Sequence, residues 1–198
     1  KMGRDSAATL LGAAPLLNDP ALQSYVNKVG TWVAQQSSVS NLTWRFGVLD
    51  SSNINAFAAP SGYVLITKGL IAILKNEAEL AGVLAHEVGH IQQQHHLRQV
   101  VQQRISQAFI GESANVSFQM GLKGDSEVIQ FKTTDLYSNG LARSDELEAD
   151  RVGAVLAARA GYDPFGLPAA LQTMDGLSAD DPSLALLFKA HPKPAERL

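Results

Sequence analysis

Residues 80–91 read Leu80-Ala-Gly-Val-Leu-Ala-His86-Glu87-Val-Gly-His90-Ile91, apolar or small on every side except at His86, Glu87 and His90. A helix that is apolar all round is a buried one. Three ionisable side chains on such a helix need partners, because an unpartnered polar group in the interior costs roughly 2–7 kcal/mol. At 3.6 residues per turn, His86 and His90 stand ~40° apart around the axis and ~6 Å along it, so both imidazoles reach one cation. Glu87, ~100° round from His86, is placed to touch a water bound to that cation. This is the His-Glu-x-x-His spacing, in which two histidines ligate zinc and the glutamate is a general base. The plainer alternative, a pair of core histidines bonded to neighbouring carbonyls, leaves the all-round burial unexplained.

A catalytic zinc takes three protein ligands and keeps one position for water. Two residues compete for the third place. His96 stands ten residues after His86, but no Gly or Pro between Ile91 and Gln103 marks a helix end. On a continuous helix His96 lies ~9 Å beyond His90 and ~240° round the axis, out of reach. His95 and His96 are therefore assigned to a solvated face of a helix running past Gln94 towards Phe109. Glu146 is the other candidate, in the helical run Arg143-Ser-Asp-Glu146-Leu-Glu-Ala-Asp150. Glu146 and Asp150 share a face, and Ala149, Gly153 and Ala157 beside them allow close packing against another helix. If that helix carries His86 and His90, Glu146 completes the metal site and Asp150 accepts the second ring N–H of a ligand histidine, which orients the ring. A solvated acidic face pairing with Arg151 and Arg143 is the alternative, and the need for a third ligand decides against it. Glu148, ~200° from Glu146, is expected to point to solvent.

The rest of the chain frames these helices. Of 198 residues, 45% are hydrophobic and 18% charged, an ordinary globular composition with length for a packed core. Sixteen basic and nineteen acidic residues leave −3 without a long run of either sign, which argues against a nucleic-acid partner. No stretch has the ~20 predominantly apolar residues of a transmembrane segment. With no cysteine, disulfide frameworks, thiol nucleophiles and cysteine-held metals are excluded. Asn18-Asp19-Pro20 opens a helix with Leu22, Val26, Val29 and Val33 on one face. Strands are expected at Thr43–Leu49, Ile54–Ala58 and Tyr63–Thr67, the last two joined by the turn Ala59-Pro60-Ser61-Gly62. Asn76 and Glu79 form a capping box before the central helix. Residues 111–140 read as a loop-rich excursion with a short strand at Val128–Phe131. Helices follow at Arg143–Ala160, Leu167–Met174 and Leu184–Phe188. The expectation is an α+β fold: one mainly helical domain over residues 1–198, its first ~17 residues a peripheral arm, with a small β-sheet.

Four separated pieces resemble the zincin metallopeptidases of family forty-eight, which include the CAAX prenyl proteases, the HtpX-like proteases and soluble periplasmic members. The pieces are Asn55-Ala-Phe-Ala-Ala-Pro-Ser-Gly-Tyr-Val-Leu-Ile-Thr-Lys-Gly-Leu70, His86-Glu-Val-Gly-His90, Arg143-Ser-Asp-Glu-Leu-Glu-Ala-Asp150 and His191-Pro-Lys-Pro-Ala-Glu-Arg197. The resemblance implies a gluzincin-type fold with one zinc held by His86, His90 and Glu146, Glu87 as catalytic base and Asp150 behind a ligand. It further implies that His191 approaches the metal or the oxyanion, and that an edge strand before Lys68 borders the cleft. The absence of transmembrane helices makes the chain similar to the soluble, extracytoplasmic branch, whose members often continue into a helical-repeat domain. A periplasmic location and a possible helical-repeat partner are expected on that basis.

The function expected from both lines is zinc-dependent endopeptidase action on extended, unfolded or misassembled polypeptide. Asn55, Ala56 and Phe57, or Tyr63 and Val64, would supply an edge strand for it. His191 would stabilise the oxyanion or occupy the open metal position, and Tyr137 is a further oxyanion candidate. The rival expectation is a zinc-bound, self-inhibited binding or chaperone-like module.

Overall fold

The computed structural model describes residues 14–99, 101–102, 140–177 and 181–197. Helix α1, Pro20–Ala34, starts at Asp19, whose carboxylate accepts the Leu22 N–H at 3.0 Å, with Pro20 where a missing N–H is harmless. Its buried residues Val26, Val29 and Val33 face the core. Three strands follow: β1, Arg45–Leu49; β2, Ala56–Ala59; and β3, Tyr63–Thr67. Ser61 and Gly62 take φ values of 73° and 87° in the turn between β2 and β3. A side chain at Gly62 would meet the Thr43 carbonyl at 2.9 Å, so the tight turn requires glycine there.

The sheet order is β1-β3-β2, with β1 parallel to β3 and β2 antiparallel to it. Tyr63 and Val64 thus lie on the central strand, paired with Arg45 and Phe46 on one side and with Ala59 and Ala58 on the other. This corrects the expectation that they form an edge. The pairing of β1 with β3 joins residues eighteen apart in sequence, as in Arg45↔Tyr63, and leaves no local signal. Within residues 14–17, the described part of the expected peripheral arm, Pro15 and Leu17 run beside β1: the Leu17 N–H donates to the Val48 carbonyl at 2.9 Å.

Short helix α2, Lys68–Ile73, leads to the central helix α3, Glu77–Gln92. Asn76 accepts the Glu79 N–H at 2.9 Å and Glu79 accepts the Lys75 N–H at 2.9 Å, closing the capping box one residue early. Every residue from Glu79 to His90 is buried, as the apolar pattern requires. Around α3 pack α1, β2, the long helix α4, Arg143–Arg159, and α5, Gly166–Asp175. The chain ends in α6, Ala185–Ala190, and a 3-10 turn at Pro194–Glu196. The architecture is α+β, mainly helical with a small mixed sheet. Among the described residues, no helix is long and apolar enough to cross a membrane.

The central helix does not run on past Gln94. It ends at Gln92 with Gln93 as its cap, and Gln94 takes a φ of 56° before residues 95–99 resume as helix. The anticipated excursion before Gly140, with the strand Val128–Phe131, and the continuation towards Phe109 lie outside the described residues.

Candidate metal centre

Helices α3 and α4 meet where both carry small residues. A Cβ added at Gly153 of α4 would lie 2.9 Å from the His86 backbone nitrogen, and one at Gly89 of α3 would lie 3.1 Å from the Ala149 carbonyl. That approach sets Glu146 against the two histidines of α3. His86 Nε2 and His90 Nε2 are 2.9 Å apart, and each lies 3.5 Å from an oxygen of Glu146. His191, just after α6, places Nδ1 2.9 Å from both Glu146 oxygens. All four residues are buried, and their ligand atoms fall within 4.8 Å of one another.

The 3.5 Å separations are close to those around a small tetrahedral ion, whose donors at ~2.0–2.1 Å bond length stand about 3.3–3.4 Å apart, while the 2.9 Å ones are shorter. The chemistry of the donors suits it as well. His86 Nδ1 lies 2.9 Å from Asp150 Oδ1, and His90 Nδ1 lies 2.8 Å from His95 Nδ1. With those nitrogens engaged, the two Nε2 atoms aim at each other and at a carboxylate, an arrangement that needs a positive charge between them. Two imidazoles and a carboxylate are a donor set for zinc and similar first-row cations.

Burial and mutual contact shape the charges. Burial opposes protonation of His86, but its bonds to Asp150 and Glu146 prevail and carry its pKa up to about 9. His90 is held well below the usual histidine range by burial, with His86 beside it adding to the effect. Glu146 stays ionised despite its burial because His191 and His86 bond to it. Asp150, half-buried, is kept low by His86 and Arg197 against the opposing effect of its burial. Burial pushes the Glu87 carboxyl up, against the pull of His191 and His86. A cavity of about 20 Å³, room for one water, lies beside Glu87, His86, His191, Arg197 and Ala56.

Arg197 was not singled out by sequence reasoning. Its guanidinium is buried, its Nε donates to Asp150 Oδ2 at 3.1 Å, and its Nη1 lies 3.6 Å from Glu146 Oε2. Asp150 and Glu146 bring two negative charges, against which stand Arg197 and a His86 whose pKa is raised to about 9. The only sequence signal for Arg197 was its place at the end of the His191–Arg197 stretch.

His95 and His96 overturn the solvated-face assignment, since they are 0% and 8% exposed. The turn at Gln93 and Gln94 folds them back against His90, with ring centroids 5.0 and 5.6 Å from its own. Burial holds the His96 pKa down to about 4, which keeps that ring neutral. Glu148 is half-exposed rather than free in solvent, and His95 Nε2 lies 3.2 Å from its Oε2. Of the anticipated edge-strand residues, Asn55 and Ala56 are buried at the start of β2, and Ala56 reaches the small cavity. Tyr137 lies outside the described residues.

Proteases and metalloproteases are among the known proteins that this chain resembles. Relatives include the beta-barrel assembly-enhancing protease of Escherichia coli K12, 30% identical over 203 residues, which cover all of this chain and 42% of that protein. The mitochondrial metalloendopeptidase OMA1 of Arabidopsis thaliana is 27% identical over 92% of this chain and 36% of its own. The metalloprotease YcaL of Escherichia coli K12 is 26% identical over 81% of this chain and 62% of its own. The chain thus spans about two fifths of the length of the beta-barrel assembly-enhancing proteases it matches. Residues 20–198 match the sequence profile of Peptidase family M48, and the chain belongs to that family of metallopeptidases.

Proposed function

We propose that this chain is a zinc-dependent endopeptidase domain that cuts extended segments of unfolded or misassembled polypeptide in a bacterial periplasm. The observation that carries the reading is the convergence of His86, His90, Glu146 and His191, from three separate stretches of chain, with buried Glu87 alongside. In this reading His86, His90 and Glu146 hold the zinc, and Asp150 accepts the His86 Nδ1–H to fix that ring. Zinc so held supplies Lewis-acid polarisation of the scissile carbonyl and a water acidic near pH ~7. Glu87 accepts the proton of the attacking water and returns it to the leaving amine. The substrate lies in extended form along Asn55, Ala56 and Phe57, a reading supported by Ala56 lining the cavity beside Glu87. The relatives named for beta-barrel assembly support the periplasmic setting, because such barrels belong to bacterial outer membranes.

One observation favours a second, self-inhibited reading. His191 fills the remaining corner of the four-donor group, and a zinc held by four protein groups lacks the open position that catalysis uses. The test is zinc content per chain together with casein cleavage by the parent and by Glu87→Gln. One zinc in both, with cleavage lower by roughly 10²–10⁴-fold in Glu87→Gln, supports the endopeptidase. Equal cleavage by both refutes the role of Glu87, and one zinc without cleavage under any condition favours the self-inhibited form.

A further inference from the structure

Behind His90, on the side away from Glu146, lies a second group of titratable side chains: His95, Asp145 and Glu148. It is not a second cation site, because Arg98 Nη2 stands 3.2 Å from Asp145 Oδ1 and 3.4 Å from Glu148 Oε2, and a guanidinium already serves both carboxylates. What the group builds is a line of hydrogen bonds with a direction. Glu148 Oε2 lies 3.2 Å from His95 Nε2, and His95 Nδ1 lies 2.8 Å from His90 Nδ1. An ionised carboxylate only accepts, so His95 keeps its proton on Nε2 and presents a bare Nδ1. His90 must then donate from its own Nδ1, which leaves its Nε2 bare towards His86 and Glu146.

We infer that His95 is a positioning residue: the line Glu148–His95–His90 fixes the tautomer and ring plane of His90 and so directs the His90 Nε2 lone pair at a divalent cation. This rests on the metal-site reading proposed above. Asp150 holds His86 directly, whereas His90 reaches its carboxylate through one further imidazole. Partners behind metal-ligating histidines typically change metal affinity by about 10–100-fold when removed. The arrangement depends on the turn at Gln94, which brings a residue five positions after His90 back onto it.

The test compares zinc affinity, by competition with a chelator, in the parent, His95→Leu and His95→Gln. Glutamine can accept from His90 Nδ1–H through its carbonyl and donate to Glu148 through its amide, whereas leucine can do neither. The expected result is about 10–100-fold weaker zinc binding for His95→Leu and affinity within a few-fold of the parent for His95→Gln. Nitrogen-15 spectra of the zinc-loaded parent give a reading independent of any variant's folding, and should show the proton on Nδ1 of His90 and on Nε2 of His95. Parent-like affinity in His95→Leu, equal losses in the two variants, or a proton on His95 Nδ1 overturns the proposal alone. A parent that binds no zinc overturns the metal-site reading and this inference with it.

Discussion

Gln94 holds a φ of 56°, a conformation that costs an L-residue with a side chain roughly 1–2 kcal/mol and that glycine adopts freely. Gln94→Gly exchanges that strain for the added flexibility of the unfolded chain, so stability should stay within about 0.5 kcal/mol of the parent. Gln94→Val puts a β-branched side chain in the same conformation and should lose more than about 1 kcal/mol, with weaker zinc binding as His95 is re-aimed. Denaturant unfolding and a zinc titration check both outcomes. The same residue explains what the sequence did and did not reveal about the site. His86 with His90, and Glu146 with Asp150, were legible as pairs because helical spacing places each pair on one face, and the structure sets the two pairs against each other. His95 and His96 were misread because Gln93 and Gln94 carry no breaker signature; packing against His90 ends the helix there. Arg197 was illegible for a related reason. Its partners, Asp150 and Glu146, lie 47 and 51 positions away, and only the fold of the C-terminal segment joins them.

Among the elements, the α3–α4 crossing sets the distance between ligands borne on different helices. Gly153→Ala adds a carbon 2.9 Å from the His86 nitrogen and 3.1 Å from its Cα, both backbone, so the helices must separate. The expected cost is about 1–3 kcal/mol, together with weaker zinc binding. Gly176→Ala is the control, since its added carbon would meet nothing closer than 3.5 Å. Unchanged zinc affinity in Gly153→Ala would mean that the crossing does not set the site. A second tie joins α1, α3 and the turn after α4 at Glu77 of α3, which accepts from Tyr25 of α1 and from Tyr162 in that turn, each at 2.8 Å. Partial burial and the bond to Glu77 push both phenols up to about 12. Their stabilisation is therefore complete below the ordinary tyrosine range near 10 and is lost as pH rises from there to about 12. Absorbance titration of tyrosinate should show two high-pH tyrosines in the parent and their return towards about 10 in Glu77→Ala. Most strands and helices were legible from alternation, caps and turn residues, as in the β2–β3 turn at Pro60-Ser61-Gly62. The central place of β3 was not, because a parallel partner arrives by a long crossover that no local pattern encodes.

For the whole molecule, the donor group stitches α3, α4 and the C-terminal segment into one cooperative unit. That segment is also held by Arg197 on Asp150 and by Arg143, whose Nη2 donates to the Glu196 carbonyl at 3.0 Å. A cation bound only by the folded chain adds stability by mass action, about 4 kcal/mol at a thousand times its Kd. Chelation should therefore lower the unfolding midpoint, and zinc should restore it. His191 decides whether the same stitching restrains activity. It is 8% exposed and meets both oxygens of Glu146, so its removal frees one corner of the donor group while His86, His90 and Glu146 remain. His191→Ala should keep about one zinc per chain at saturating zinc, because three protein ligands suffice for a catalytic site. It should also raise casein cleavage over the parent, as the freed corner becomes available to water. A fall in cleavage with zinc retained would instead assign His191 to the oxyanion, where loss of one donor typically costs ~10²–10³-fold in rate. Loss of the zinc itself would make His191 a fourth structural ligand and would refute the open-corner argument.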